Sequence, residues 1–156
     1  MPAMAVDIAT LRAAALPEGY TLERVRDAET ARKWTDAFAR GYELPVKAAQ
    51  QFVPVSLGDA EDDPVQYYLV SRDGRPVATS AMCLLEGLAG IYCVATVPEE
   101  RRKGLGAFMT AEPLRRAAKI GYGVGVLQSS TSGYPVYEKL GFKTFGGVPM
   151  YIRTPA

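Results

Sequence analysis

The 156-residue chain contains no histidine. That excludes imidazole general bases, histidine-activated nucleophiles and histidine-ligated zinc. Cysteine is scarce as well. Cys83 and Cys93 are the two present, with no C-x-x-C and no metal-ligand spacing. Both sit in apolar, strand-like runs, so they read as buried reduced thiols, and no metal is expected. An excess of one charge is missing too. Eighteen basic and 17 acidic residues leave a net charge of +1, which argues against a nucleic-acid partner. No apolar run approaches the roughly 18 residues that a membrane-spanning helix needs, so no membrane partner is expected. The opening MPAMAVDIATLRAAALPEGY lacks a basic n-region, and Asp7 and Arg12 interrupt its apolar stretches. No signal peptide is expected, and the predicted location is cytoplasmic.

What is present is the composition of one globular domain, 48% hydrophobic and 22% charged. A chain of this length buries about 70% of its unfolded surface. Residues 1–19 are set apart as an N-terminal extension, and the domain proper spans 20–156. TLERVRD (21–27) alternates as a strand. Residues 29–42 place Ala31, Trp34, Ala37, Phe38 and Tyr42 at helical spacing behind an N-cap at Asp27. Trp34, Phe38, Tyr42, Phe52 and Tyr67 are expected in the core. A short helix follows Pro45, and the acidic stretch 56–64 reads as a solvated loop. Two strands flank Asp73-Gly74, a strong hairpin signal. A second turn, EGL, leads into a strand over 89–97. A helix to about Ile120, a strand over 122–128, a short helix at YPVYEKL ended by Gly141, and a last strand or hairpin over 142–153 complete the chain. This order suggests a three-layer α/β or α+β sheet domain.

One stretch, VATVPEERRKGLGAFM (94–109), raises an electrostatic question. Arg101, Arg102 and Lys103 stand directly before a helix, where the helix dipole already contributes about half a positive charge. A strand, a glycine-containing basic loop and a helix N-terminus are how backbone amides are gathered around phosphate. Gly104 and Gly106 leave room for a ligand to approach the backbone. The helix behind them shows an apolar stripe, Ala107, Phe108, Ala111, Leu114 and Ala118. Pro113 predicts a kink or an early end. G-x-x-x-x-G-K-[ST] is absent, and neither GLGAFM nor GYGVG completes G-x-G-x-x-G.

What does match is R-x-x-G-x-G, Arg101 to Gly106. Here the chain resembles the GNAT superfamily of acyl-CoA-dependent N-acyltransferases, whose motif is [RQ]-x-x-G-x-[GA] and whose loop binds the CoA pyrophosphate. SSTSGYPVYEKLGF (129–142) resembles the family's N-x-x-A-x-x-x-Y-x-x-x-G-F, with Ser130 in place of Asn and Gly133 in place of Ala. The order of elements fits over 20–153. The resemblance implies a single mixed, mostly antiparallel central sheet flanked by helices. It implies acetyl-CoA or another acyl-CoA as co-substrate, held by Val94, Ala95, Thr96, Arg101, Arg102, Lys103, Gly104, Leu105, Gly106, Ala107, Ser130 and Tyr137. A strand that offers its backbone to a ligand must part from its neighbour. A splay is therefore expected between the fourth and fifth strands, 89–97 and 122–128.

Tyr137 matches the family's tyrosine general acid. A phenol, with a reference pKa near 10, stays protonated at pH 7 and can protonate a departing thiolate of pKa about 8.5. The base is open. The strand 89–97 has no carboxylate, which leaves Glu86, Glu43 or a water as candidates. The resemblance places the acceptor near residues 41–45, making Tyr42 and Glu43 its candidate contacts. The function expected is direct transfer of an acyl group to a small-molecule or peptide amine, with no acyl-enzyme on Cys93. The rivals are a non-catalytic acyl-CoA sensor and a plain nucleotide binder. By family analogy, strand edges near the C-terminus suit a homodimer.

Overall fold

The computed structural model describes residues 1–52, 54 and 57–151. Among them are seven strands and four helices: β1 (Pro2–Asp7), β2 (Tyr20–Arg24), α1 (Ala28–Tyr42), α2 (Val46–Ala49), β3 (Val65–Arg72), β4 (Arg75–Leu85), β5 (Leu88–Thr96), α3 (Leu105–Lys119), β6 (Val124–Gln128), α4 (Tyr134–Leu140) and β7 (Lys143–Gly147). One sheet runs in the order β2-β3-β4-β5-β6-β1-β7. All its pairings are antiparallel except β5 with β6.

Two tight turns set the β3–β4–β5 meander. Asp73 and Gly74 have φ of 50° and 74°, and Glu86 and Gly87 have 50° and 76°. Positive φ at both central residues is what a two-residue hairpin with right-handed strand twist requires. α1 opens on a capping box: Asp27 accepts from the Thr30 amide at 2.7 Å, and the Thr30 hydroxyl accepts from the Asp27 amide at 3.3 Å. Its buried face, with Trp34 and Phe38, packs on Leu69, Ala81 and Ala95. α3 covers the opposite face through Leu105, Met109 and Leu114, against Met82 and Ile91. The three layers and the mostly antiparallel sheet follow the expectation.

Several elements differ from their sequence reading. Residues 2–7, set apart in an extension, form β1 inside the sheet, paired to β6 on one edge and β7 on the other. The strand signal is only Met4 and Val6, both buried, which is too short an alternation to stand out. α3 does not end early at Pro113. The ring is buried in the core, and burial offsets the missing backbone bond. Tyr42 and Phe52 are each 49% exposed rather than in the core. The helix expected over 46–53 is one α-turn followed by a 3-10 turn, Gln50–Phe52, and Val53 lies outside the described residues. The closing segment contributes only β7; residues 152–156 lie outside the described residues.

Candidate active site

The site is built on β5, whose two edges are unlike. Toward β4, Thr79 pairs with Ala95 and Ala81 with Tyr92, so Cys93 and Val94 stand opposite Ser80 alone. This is a β-bulge, with Cys93 at φ +53°. The Thr79 hydroxyl donates to the Cys93 carbonyl at 2.9 Å and fixes it. Because of the extra residue, Tyr92 and Cys93 both face the α1 side, where Ala81 and Ala95 pack. Val94 turns to the α3 side. Toward β6, pairing covers only Leu88–Gly90 against Val124–Val126, and beyond Gly90 the strands part. This is the expected splay. No sequence signal announced the bulge, because Cys93 is not a residue that favours positive φ.

The parted strands open toward the loop before α3. Arg102 and Gly104 turn the chain at φ +62° and +84°. Gly104 is the N-cap of α3 and offers no capping side chain, so the first helical amides face the loop unclaimed by it. Among the described residues a Cβ at Gly104 or Gly106 would meet no neighbouring atom within 4 Å, which leaves open space at both positions. Two of the three basic side chains are committed elsewhere. Arg101 donates to the Thr96 carbonyl at 3.2 Å, to the Gly41 carbonyl at 2.9 Å and to Glu43 at 3.1 Å. Lys103 lies 2.8 Å from Glu100. Glu100 also accepts from the Tyr20 hydroxyl and from Arg72, and these donors hold its carboxyl below the usual carboxylate range. Arg102 has no ion pair among the described residues. Arg101 thereby straps the end of β5 to the end of α1.

Gly41 makes that strap possible. A Cβ there would lie 2.8 Å from the Ala95 Cβ and 3.1 Å from the Thr96 nitrogen. The close approach sets Tyr42 and Glu43 (φ +56°) beside the bulge. On the other side, α4 carries Tyr137. Ser130 accepts from the Gly133 amide at 3.1 Å and caps the approach to this helix. A Cβ on Gly133 would sit 2.8 Å from the Tyr137 ring. Glycine in place of alanine therefore lets the ring lie over the backbone. Burial pushes the Tyr137 hydroxyl up to about 12, and the charge of Tyr42 adds to it. Burial likewise raises the Cys93 thiol to about 11, and burial together with Cys93 raises Tyr42. These couplings bring Tyr42, Cys93 and Tyr137 into one neighbourhood. Glu86 is not brought there. It lies in the turn before β5, about 20 Å from the bulge at about 3.3 Å per residue. The acidic loop is occupied too, with Asp63 on Arg24 at 2.7 Å and Asp59 on Arg26 at 2.8 Å. Thr79 and Tyr92 were not singled out in the sequence, and Gly41 entered only as the start of the 41–45 segment. Their importance lies in cross-element distances that no local pattern carries.

A mixed sheet opened along one edge of a bulged strand, with an uncapped helix N-terminus at its mouth, is the arrangement that the family resemblance implied. The chain belongs to the Acetyltransferase (GNAT) family, which matches residues 28–142. It is 30% identical to a mycothiol acetyltransferase of Streptomyces bingchenggensis, over 87% of this chain and 47% of that one. It is 28% identical to a mycothiol acetyltransferase of Thermobispora bispora, over 92% of this chain and 53% of that one. A solved structure, a GCN5-related N-acetyltransferase from Kribbella flavida, superposes with a TM-score of 0.70 at 27% identity, covering 92% of this chain and 53% of that one. The chain spans about half the length of these relatives.

Proposed function

We propose that this chain transfers an acetyl group from acetyl-CoA to an amine by direct attack. The observation that carries the reading is the β5 edge left unpaired by β6 beyond Gly90, ending at the uncapped start of α3. Acetyl-CoA would supply a thioester whose carbonyl the neutral amine attacks; as the C–S bond breaks, the nitrogen loses its proton to solvent water. The backbone of Val94, Ala95 and Thr96 would hold its pantetheine arm. The amides from Gly104 to Ala107, with the Arg102 side chain, would hold its pyrophosphate. Arg101 and Lys103 act at one remove, by fixing the loop. Tyr137, protonated at neutral pH, gives its proton to the departing sulfur. Cys93 stays a thiol and forms no acyl-enzyme. The relatives' name, mycothiol acetyltransferase, favours acetyl among acyl groups. A cytoplasmic location belongs to the same reading. So does a homodimer across the outer edge of β7, where Phe145 is exposed.

One observation favours the sensor alternative: β4, β5 and β6 carry no carboxylate to act as base. Calorimetric titration with acetyl-CoA, followed by a free-thiol release assay over an amine panel, separates the two. Binding with amine-dependent thiol release is the expected result. Tight binding without release from any amine would leave the sensor.

A further inference from the structure

The surface where an acceptor would meet the bulge has its own chemistry. Phe38, buried on α1, carries two half-exposed rings, Tyr42 at 4.9 Å and Phe52 at 5.2 Å between centroids. Tyr42 is within electrostatic range of both Cys93 and Tyr137. Tyr92, 38% exposed, lies with its ring over Gly90, where a Cβ would come within 2.7 Å of it. Aromatic faces therefore line the α1 side of the bulge from α1, from the turn after α2 and from β5.

Among the described residues, the ionisable groups around this lip do not supply a base. From α1 come Tyr42 and Glu43, and Glu43 is paired with Arg101. α2 contributes Lys47, and α4 contributes Tyr137 and the exposed Glu138. β4 and β5 contribute the free thiols of Cys83 and Cys93, both raised by burial, and the phenol of Tyr92. The phenols and thiols remain protonated at pH 7. An amine that needs a protein base is thus poorly served, whereas one already partly neutral in water is not. At pH 7 roughly one α-amine in seven is neutral, against about one ε-amine in 2,500. The greater nucleophilicity of the stronger base offsets only part of that gap.

Resting on the acyltransferase reading, we propose that the acceptor is a weakly basic primary amine, of the kind an amino acid or peptide carries at its α-carbon, on an aromatic or apolar body that packs against Tyr42 and Phe52. The aromatic body takes up apolar area that the lip otherwise leaves in water, and ring pairs add to that.

The test measures thiol release from acetyl-CoA at pH 7 with four probes: phenylalaninamide, glycinamide, phenethylamine and the ε-amine of Nα-acetyl-lysinamide. Phenylalaninamide should exceed each of the others by at least about 10-fold in kcat/KM. Phe52→Ala and Tyr42→Ala should each shrink its lead over glycinamide several-fold, mainly through KM. Glycinamide matching phenylalaninamide would overturn the aromatic body, and phenethylamine matching it would overturn the weakly basic amine. Either result leaves the acyltransferase reading standing. No release with any probe, while acetyl-CoA binds, would overturn that reading and this inference together.

Discussion

β5 has one edge that serves the fold and one withheld from it. The β4 edge is laddered from Leu88 to Thr96, interrupted only by the bulge at Cys93. The β6 edge is laddered over Leu88–Gly90 and then left open. Buried backbone groups rarely go unpaired, so an edge that a neighbouring strand abandons has another use or is a defect. The closed edge shows how the open one is maintained. Thr79 holds the Cys93 carbonyl, Arg101 holds the Thr96 carbonyl, and Gly41 lets α1 brace the strand from its face. Each of these fixes β5 without help from β6. The strand's geometry is thus set from one side so that the other can remain free.

The comparison breaks most sharply at Tyr137, which matters to chemistry only if the open edge is a reaction site. We predict that Tyr137→Phe lowers kcat by about 10²- to 10⁴-fold, the usual worth of general acid catalysis. The affinity for acetyl-CoA, read by calorimetry, should change little, because the ring keeps its packing on Phe142 at 6.0 Å. Full turnover by the variant would reduce Tyr137 to a packing residue. The next prediction probes the closed side. Gly41→Ala places a methyl 2.8 Å from the Ala95 Cβ. Overpacking of that kind costs about 1–3 kcal/mol, which exceeds or cancels the helix-propensity gain of alanine, about 1 kcal/mol at most. The melting temperature should fall by a few degrees, and acetyl-CoA binding should weaken with it. A variant more stable than its parent would mean that α1 is not braced on β5.

Much of this was legible in the sequence, for physical reasons that differ by element. The hairpin at Asp73-Gly74, the N-cap at Asp27 and the Gly141 stop follow from local stereochemistry, and the splay follows from the accounting of backbone groups once the family resemblance assigns that strand to a ligand. β1 was missed because its two buried residues, Met4 and Val6, give too short a pattern, and its pairing with β6 and β7 is set by tertiary contact. The helix runs on past Pro113 because burial in the core outweighs local propensity. In the site, the glycine loop stands out by its own residues, whereas Tyr137 is singled out only by the family resemblance. The fate of Arg101 and Lys103 cannot be read from the sequence, because it depends on Glu43, Gly41 and Glu100, residues either distant in sequence or unremarkable in it.

The smallest expected effect concerns Glu100, and it asks whether the loop's charges serve the fold or the ligand. Its carboxyl is held below the ordinary 4.5 by Lys103 first, then by the Tyr20 hydroxyl and Arg72. A carboxylate depressed in the native state stabilises the fold above its unfolded value and loses that contribution as pH falls through the native one. Glu100→Gln should therefore lower stability at pH 7 by less than about 1 kcal/mol, since Lys103 and Arg72 are well exposed. The difference between variant and parent should vanish on acidification below the native value. The same substitution frees Lys103, next to the uncapped start of α3. If the cluster is reserved for the loop, affinity for acetyl-CoA should fall slightly as the loop loosens. If Lys103 is held back from an anion within its reach, affinity should instead rise, most of all at low salt, where a new phosphate contact is least screened. Parallel thermal melts and titrations at two salt concentrations decide it. A pH-independent loss of stability would show that Glu100 acts through packing and hydrogen bonding rather than through its charge.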